Sequence, residues 1–298
     1  MTFTVVFGAG STGIATARLL ADSGERVRQI TRSGGGVEHP LVERVAADAT
    51  DVSLLTSLAE GAGSLINCAA PPYDRWPEQF PALAAAQLIA AERTGAGYVM
   101  LGNVYGYGPT HSAFTEDLPM APTTVKGAVR ARIWANAVAS GARVTEVRAA
   151  DLLGAGAYSL FNLMVTGPLL TGDPAFLPYD LDVPQSWSYT GDVARTLVAA
   201  ARDDRSWGRA WHVPSTVVTA REVAVRMAFL TGAPEPKLES MPLEEIRRLA
   251  LTDPIMAEVP EMQYLYRRPF VLDSSLTQRT FGFGPAPLDQ ALIEMTSQ

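Results

Sequence analysis

Residues 2–13 read TFTVVFGAGSTG. The first six are all β-branched or aromatic, a run suited to a strand buried on both faces. The next six place glycine at 8, 10 and 13, with Ser11 and Thr12 before the last, and helical periodicity then continues to Ser23. Strand, glycine-rich turn and helix in this order are the context in which G-x-G-x-x-G cradles a dinucleotide. Gly8 permits the tight turn, Gly10 lets the backbone approach a pyrophosphate, and Gly13 lets the helix pack closely. The first N–H groups of the helix then face the phosphates. Without a ligand, the same residues make a tight turn and nothing more.

Working outward, short apolar runs alternate with amphipathic ones. Strands are expected at 26–31, 45–47, 64–68, 98–101 and 144–148, and helices at 12–23, 52–60, 80–94 and 126–139. That alternation predicts an α/β fold with a Rossmann-type doubly wound parallel sheet. From Asp151 to Trp187 the chain is rich in glycine, proline and aromatic residues, as binding loops are. A helix over 192–201, a strand at 210–213 and helices over 220–230 and 243–249 follow, with 232–240 as an exposed connection. We expect residues 1–155 and 187–215 to form the dinucleotide-binding domain, and 156–186 and 216–298 a smaller C-terminal substrate-binding region.

Composition narrows the partners. With 298 residues, 47% of them hydrophobic, the chain supplies a sizeable core. Its formal charge of −7 offers no electrostatic footprint for nucleic acid or anionic lipid. The single cysteine, Cys68, has no internal partner and reads as a buried strand thiol, which fits a reducing cytoplasm. No stretch approaches the roughly 20 apolar residues of a membrane helix, and the N-terminus lacks the basic region of a signal peptide. His39, His111 and His212 stand far apart without cysteine or carboxylate at ligand spacing, so no metal is expected; His212 reads as structural. A small-molecule substrate remains, handled by a monomer or homodimer.

The second strand ends in Thr31-Arg32-Ser33, where NAD-binding chains carry a carboxylate for the ribose 2′-hydroxyl. A guanidinium flanked by two hydroxyls suits a 2′-phosphate instead, so NADP(H) is preferred and NAD(H) remains possible. The alternative is a solvated surface arginine.

Several segments together resemble the NAD-dependent epimerase/dehydratase branch of the extended short-chain dehydrogenase/reductases, over nearly the whole chain. They are GAGSTG at 8–13, Asp48-Ala49-Thr50-Asp51, Asn67-Cys68-Ala69-Ala70-Pro71, Val104-Tyr105-Gly106, Glu116-Asp117, Arg148 through Gly154, and Ser188 through Val193. The resemblance implies that Asp48 and Ala49 lie beside the adenine, that Ala69, Ala70 and Pro71 line the cofactor, and that the loops after Asp151 close over a substrate. Asp48 read alone is equally a cap for the helix beginning near Val52.

The family's catalytic pattern is a serine or threonine after the fifth strand and a Tyr-x-x-x-Lys pair on the next helix. This sequence departs from it. The serine region reads Met100-Leu101-Gly102-Asn103-Val104-Tyr105, and Lys126 and Arg130 stand where the tyrosine and lysine are expected. Their four-residue spacing keeps both on one helix face. A desolvated Lys126 beside Arg130 can carry a proton, or as an ammonium it can stabilise an oxyanion with Asn103 as second donor. Lys126 is alternatively a cofactor contact alone. Tyr105 and Tyr107 are placed to supply the missing phenol.

Tyr73 and Trp76, after the fourth strand, are candidates for an aromatic substrate wall, with Tyr107, Asp151, Tyr158 and Trp187 as further substrate candidates. Such a lining suits a small aromatic or apolar metabolite better than a sugar nucleotide. The leading expectation is an NADP(H)-dependent oxidoreductase that reduces a carbonyl or related group. The alternatives are an NAD(P)-dependent epimerase or dehydratase and a non-catalytic dinucleotide-sensing regulator.

Overall fold

The computed structural model describes residues 2–296. Strand β1 (Phe3–Phe7) is buried from Thr4 onward, and helix α1 (Ser11–Asp22) turns Thr16, Ala17, Leu20 and Ala21 onto it. Burying each large apolar side chain of this kind contributes about 1.5–3 kcal/mol. The pattern repeats through β2 (Val27–Thr31), β3 (Val42–Ala46), α2 (Val52–Ala59), β4 (Ala62–Asn67), α3 (Trp76–Thr94), β5 (Gly97–Asn103), α4 (Val125–Ala139) and β6 (Val144–Ala149). Helix α3 begins four residues before its expected start because Pro77 occupies its first turn, where no intrahelical donor is required.

Beyond Asp151 the chain is more regular than its composition suggests. Strand β7 (Asp151–Leu153), the π-helical turn Asn162–Thr166, α5 (Gly167–Thr171), β8 (Ala175–Leu177), β9 (Gln185–Tyr189), α6 (Thr190–Arg202), β10 (Ala210–His212), β11 (Thr216–Val218), α7 (Ala220–Thr231) and β12 (Leu238–Ser240) follow in order. Helices α8 (Leu243–Leu249), α9 (Gln263–Tyr266), α10 (Ser275–Phe281) and α11 (Leu288–Thr296) complete the chain. The expected exposed connection at 232–240 is corrected in its last three residues. β12 pairs in parallel with β8 and buries Leu238, a strand too short to show a period in sequence.

The principal sheet has seven parallel strands in the order β10-β6-β5-β4-β1-β2-β3, a doubly wound Rossmann arrangement. The direction of winding reverses between β1 and β4, and ligands of open α/β sheets bind beyond the strand ends at such a reversal. Helices α2, α3 and α4 cover one face, with a core including Leu55, Phe80 and Tyr98, while α1 and α6 cover the other around Val6, Leu20 and Leu197. A third core, including Phe161, Tyr179 and Trp187, fills the C-terminal region around the small sheet β11-β9-β7. Among the described residues no helix is long and apolar enough to cross a membrane.

Candidate functional site

The glycine turn closes as its sequence requires. Gly8 has φ +97°, and a Cβ there would lie 3.1 Å from the backbone of Ala69 in the turn after β4. A Cβ on Gly13 would sit 2.4 Å from the Gly8 carbonyl oxygen, so only glycine lets α1 approach this closely. Gly10, the N-cap of α1, makes no side-chain cap and has open space on its Cβ side. The first N–H groups of α1 are thus left facing that space, which suits a pyrophosphate.

Sequence reasoning missed what holds the turn. Gln29, fully buried in β2, donates from Nε2 to the Gly8 carbonyl (2.9 Å) and accepts the Val37 N–H on Oε1 (2.8 Å). The signal was a polar amide at a buried position of β2, between Val27 and Ile30. At the end of β2, Thr31 donates to the Gly35 carbonyl (3.0 Å), and the exposed Arg32 lies near Asp48. Asp48 accepts from the Thr50 N–H and hydroxyl, which hold its carboxyl below the usual range, with Arg32 contributing less. The cap of α2 is Asp51, which accepts from Leu54, so the alternative reading of Asp48 as that cap falls one turn short. Ala69 follows β4 with its N–H held by Asn67, and Cys68 packs under α1 near Thr16, burial pushing its thiol up to about 12.

A cavity of about 180 Å³ opens where β5 and β6 end, at the same edge of the sheet. Asn103, Tyr105, Arg130, Asp151, Tyr73, Trp76 and Tyr158 line it, together with Gln185, Tyr266 and Phe270, which sequence reasoning did not select. Asn103 accepts the Tyr105 N–H (3.1 Å) and so shapes the turn that presents this phenol. Burial pushes the Tyr105 hydroxyl up to about 12, with the Asp151 carboxylate adding to the shift. Its oxygen lies 3.3 Å from that of Tyr73.

Arg130 is 9% exposed, lies over the rings of Trp76 (4.6 Å) and Phe80 (4.4 Å), and donates to the Leu101 carbonyl (3.1 Å). It makes no ion pair among the described residues, and its Nε has no hydrogen-bond partner. Burial pulls the guanidinium down to about 10. A buried cation with a free donor at a cavity wall can bind an oxygen of a ligand.

Lys126, one turn earlier on α4, does not line the cavity. Its ammonium pairs with Glu258 and with Glu261 (3.2 Å) from the two 3₁₀ turns ahead of α9, and lies 4.4 Å from the Tyr73 ring centroid. Burial lowers its pKa, and Glu261 opposes that shift. The two glutamates lie more than 130 residues away, so nothing in the helix pattern revealed them.

Tyr107 and Trp187 also lie away from the cavity. The Tyr107 hydroxyl accepts from Arg148 (2.5 Å) and meets His212 Nε2 (2.7 Å), while Arg148 pairs with the buried Glu146 (2.6 Å). Burial pushes His212 down to about 4, so it is neutral within this structural network, where the sequence placed it. Trp187 is core, packed edge-on against Phe161 and donating to the Val218 carbonyl (3.0 Å). Strand β9 is buried from Gln185 to Ser188, so its indole packs into the C-terminal core.

No family model and no curated protein matches the chain. Solved structures do. They include the enzyme WbmH from Bordetella bronchiseptica in complex with NAD+ (20% identity, TM-score 0.77, 99% of this chain and 97% of that one). A dTDP-glucose 4,6-dehydratase from Bacillus anthracis in complex with NAD matches at 19% identity and TM-score 0.80 over 99% and 95% of the two chains. A UDP-N-acetylglucosamine 4-epimerase from Bacillus cereus matches at 15% and 0.77 over 99% and 98%. The epimerase/dehydratase resemblance read from the sequence therefore has its counterpart in three dimensions, and over nearly its whole length the chain has the fold of these structures.

Proposed function

We propose that the chain binds NADP(H) at the Gly8–Gly13 turn and catalyses hydride transfer on a carbonyl of a small aromatic or apolar substrate held in the cavity at the ends of β5 and β6. The observation that carries this reading is the pairing, at one wall, of a protonated phenol on Tyr105 with the buried guanidinium of Arg130, whose Nε has no hydrogen-bond partner. The open Cβ side of Gly10 and the uncapped start of α1 fit a pyrophosphate, Ala69, Ala70 and Pro71 would flank it, and Thr31, Arg32 and Ser33 would meet a 2′-phosphate. Residues 156–186 and 216–298 would serve as the substrate-binding region. When bound, the nicotinamide supplies or accepts the hydride.

The chain's own residues do the rest. Arg130 orients the substrate oxygen and stabilises negative charge developing on it. Tyr105 holds the proton at its hydroxyl and delivers it to that oxygen. The aromatic walls exclude water. The proton role expected of Lys126 passes to Tyr105, because the glutamates already engage the ammonium. Arg130 is the single cation of the lining and Asp151 adds a carboxylate, a setting poor for a nucleotide diphosphate.

Loss of NADPH absorbance on mixing with a panel of aromatic aldehydes and ketones is the expected result. A second reading, epimerisation or dehydration with transiently used cofactor, is favoured by the solved dehydratase and epimerase of the same fold. It would turn over substrate with no net change in dinucleotide. Failure of the purified chain to bind any nicotinamide dinucleotide by calorimetry would remove both readings.

A further inference from the structure

Five oxygen-bearing side chains from five separate segments stand in one file beside the cavity. The Tyr73 hydroxyl lies 3.3 Å from that of Tyr105. Tyr105 and Tyr266 line the same cavity, where the charge of Tyr105 raises the pKa of Tyr266, and the rings of Tyr266 and Tyr179 stack with centroids 4.2 Å apart at 11°. Tyr179 in turn donates to the Asp151 carboxylate. Tyr73 follows β4, Tyr105 follows β5, Asp151 opens β7, Tyr179 follows β8 and Tyr266 ends α9, so the fold assembles the file from places remote in sequence.

Burial pushes all four phenols above their ordinary values, whereas it brings the Asp151 carboxyl up to about 6, with the Tyr179 hydrogen bond opposing. The groups facing Asp151 are these same phenols, and the nearest cation of the cavity lining is Arg130, which acts on Tyr105. Asp151 is therefore the member of the file that changes charge near neutrality.

We infer that this file is a proton relay that resupplies Tyr105, with Asp151 as its reservoir, and that Tyr179 and Tyr266 are positioning residues that carry the proton between them. The inference rests on the reading of Tyr105 as proton donor in carbonyl reduction. With a reduced nicotinamide dinucleotide bound to supply hydride to the carbonyl carbon, the Tyr105 O–H bond would break and its proton would join the carbonyl oxygen. The Tyr105 oxygen then takes a proton from Tyr266, Tyr266 from Tyr179, and Tyr179 from the Asp151 carboxyl. Asp151 is left ionised, and water reprotonates it through the cavity after product leaves. One carbonyl, one hydride and one proton give one alcohol.

The sign of the pH dependence follows. Reduction is fastest with the Asp151 carboxyl protonated and slows as pH rises through about 6, and oxidation of the alcohol runs the other way. Two measurements on the full chain test this. In the first, infrared titration of the free protein follows the carboxylic acid C=O band. That band should titrate near pH 6, vanish in Asp151→Asn, and move to higher pH in Tyr179→Phe, because the lost hydrogen bond had favoured the carboxylate. In the second, the pH profile of kcat should lose that inflection in Asp151→Asn while kcat falls on the order of 10²-fold. Tyr179→Phe should lower kcat with a larger solvent isotope effect. A band that survives in Asp151→Asn, or an unchanged profile in a variant that still turns over, overturns the relay alone. A wild-type chain that binds dinucleotide yet reduces no carbonyl overturns the function and the relay together.

Discussion

The glycine turn and the aromatic cavity open at the same edge of one sheet, yet they are built in opposite ways. The turn is made of backbone from six consecutive residues, and its capacity for a phosphate comes from what is missing: the Cβ atoms of Gly8, Gly10 and Gly13. The cavity is made of side chains from segments near 73, 103, 130, 151, 185 and 266. Its capacity comes from what the sheet and C-terminal region bring together. A backbone site is specified locally and tolerates little change, whereas an assembled site spreads its energetics over many positions.

The contrast breaks most sharply at Gly13. In Gly13→Ala the new Cβ falls 2.4 Å from the Gly8 oxygen, a backbone atom that cannot rotate away. Overpacking of this kind costs about 3 kcal/mol, and a turn forced open by it should lose dinucleotide affinity on the order of 10²-fold. Calorimetric titration with NADPH checks this, and unaltered affinity would show that α1 shifts freely against β1.

Arg130 offers the corresponding test in the cavity. Arg130→Met puts an uncharged thioether in place of the guanidinium that lies over Trp76 and Phe80 and removes the unpaired donor. A charge-assisted hydrogen bond is worth about 2 kcal/mol, so kcat/KM should fall about thirtyfold. Thermal stability should hold or rise, because a buried guanidinium without a carboxylate partner leaves the interior. A large loss of stability with intact kcat/KM would make Arg130 a scaffold residue.

This division decides how much was legible in the sequence. The doubly wound sheet was, because short strand-like runs alternate with periodic helices through most of the first half of the chain, and the glycine turn was, because its spacing is its mechanism. Tyr73 and Trp76 were selected because strand ends of such sheets are known places to look, and Asn103, Tyr105 and Arg130 because they stand at or beside the positions of the family's catalytic pattern; all five line the cavity. Tyr179 and Tyr266 were not, since neither has a local pattern that separates a relay phenol from a packed aromatic. Trp187 shows the converse: enrichment of aromatics after Asp151 marked a region, while the strand pairing of β9 decided which ring is core. Lys126 was noticed for its helix position, but its chemistry is set by Glu258 and Glu261, whose contact with α4 depends on the tertiary fold.

Lys126 therefore sharpens the comparison at intermediate size. Its ion pairs hold the segment leading to Leu265 and Tyr266 of the cavity wall against α4, where Val125 also donates to Glu261 (2.9 Å). Both glutamates are about a quarter exposed, so the pairs are partly screened. In Lys126→Met the two carboxylates lose their cation, and the loosened wall should raise KM about tenfold, equivalent to about 1.4 kcal/mol, while kcat changes little. Steady-state kinetics with a fixed carbonyl separates the two constants. A collapse of kcat with KM intact would return the proton-transfer role to Lys126.

The smallest effect is expected at Arg32, on the rim of the backbone site. Its side chain is exposed and makes no ion pair among the described residues, so it is free to turn toward a ligand. Exposure also means that a 2′-phosphate bound there remains screened, and the contact is worth about 1 kcal/mol. Arg32→Ser should accordingly weaken NADPH about fivefold and leave NADH unchanged, because NADH has no phosphate at that ribose. Parallel titrations with the two reduced cofactors measure the ratio directly. Equal losses would mean that Arg32 supports the Gly34–Gly36 loop rather than the phosphate, and selectivity would then fall to Thr31 and Ser33. A preserved preference for NADPH would place the discrimination in that loop's backbone, which Gln29 ties to the glycine turn through Val37. In that case even cofactor choice would belong to the backbone-built half of the molecule.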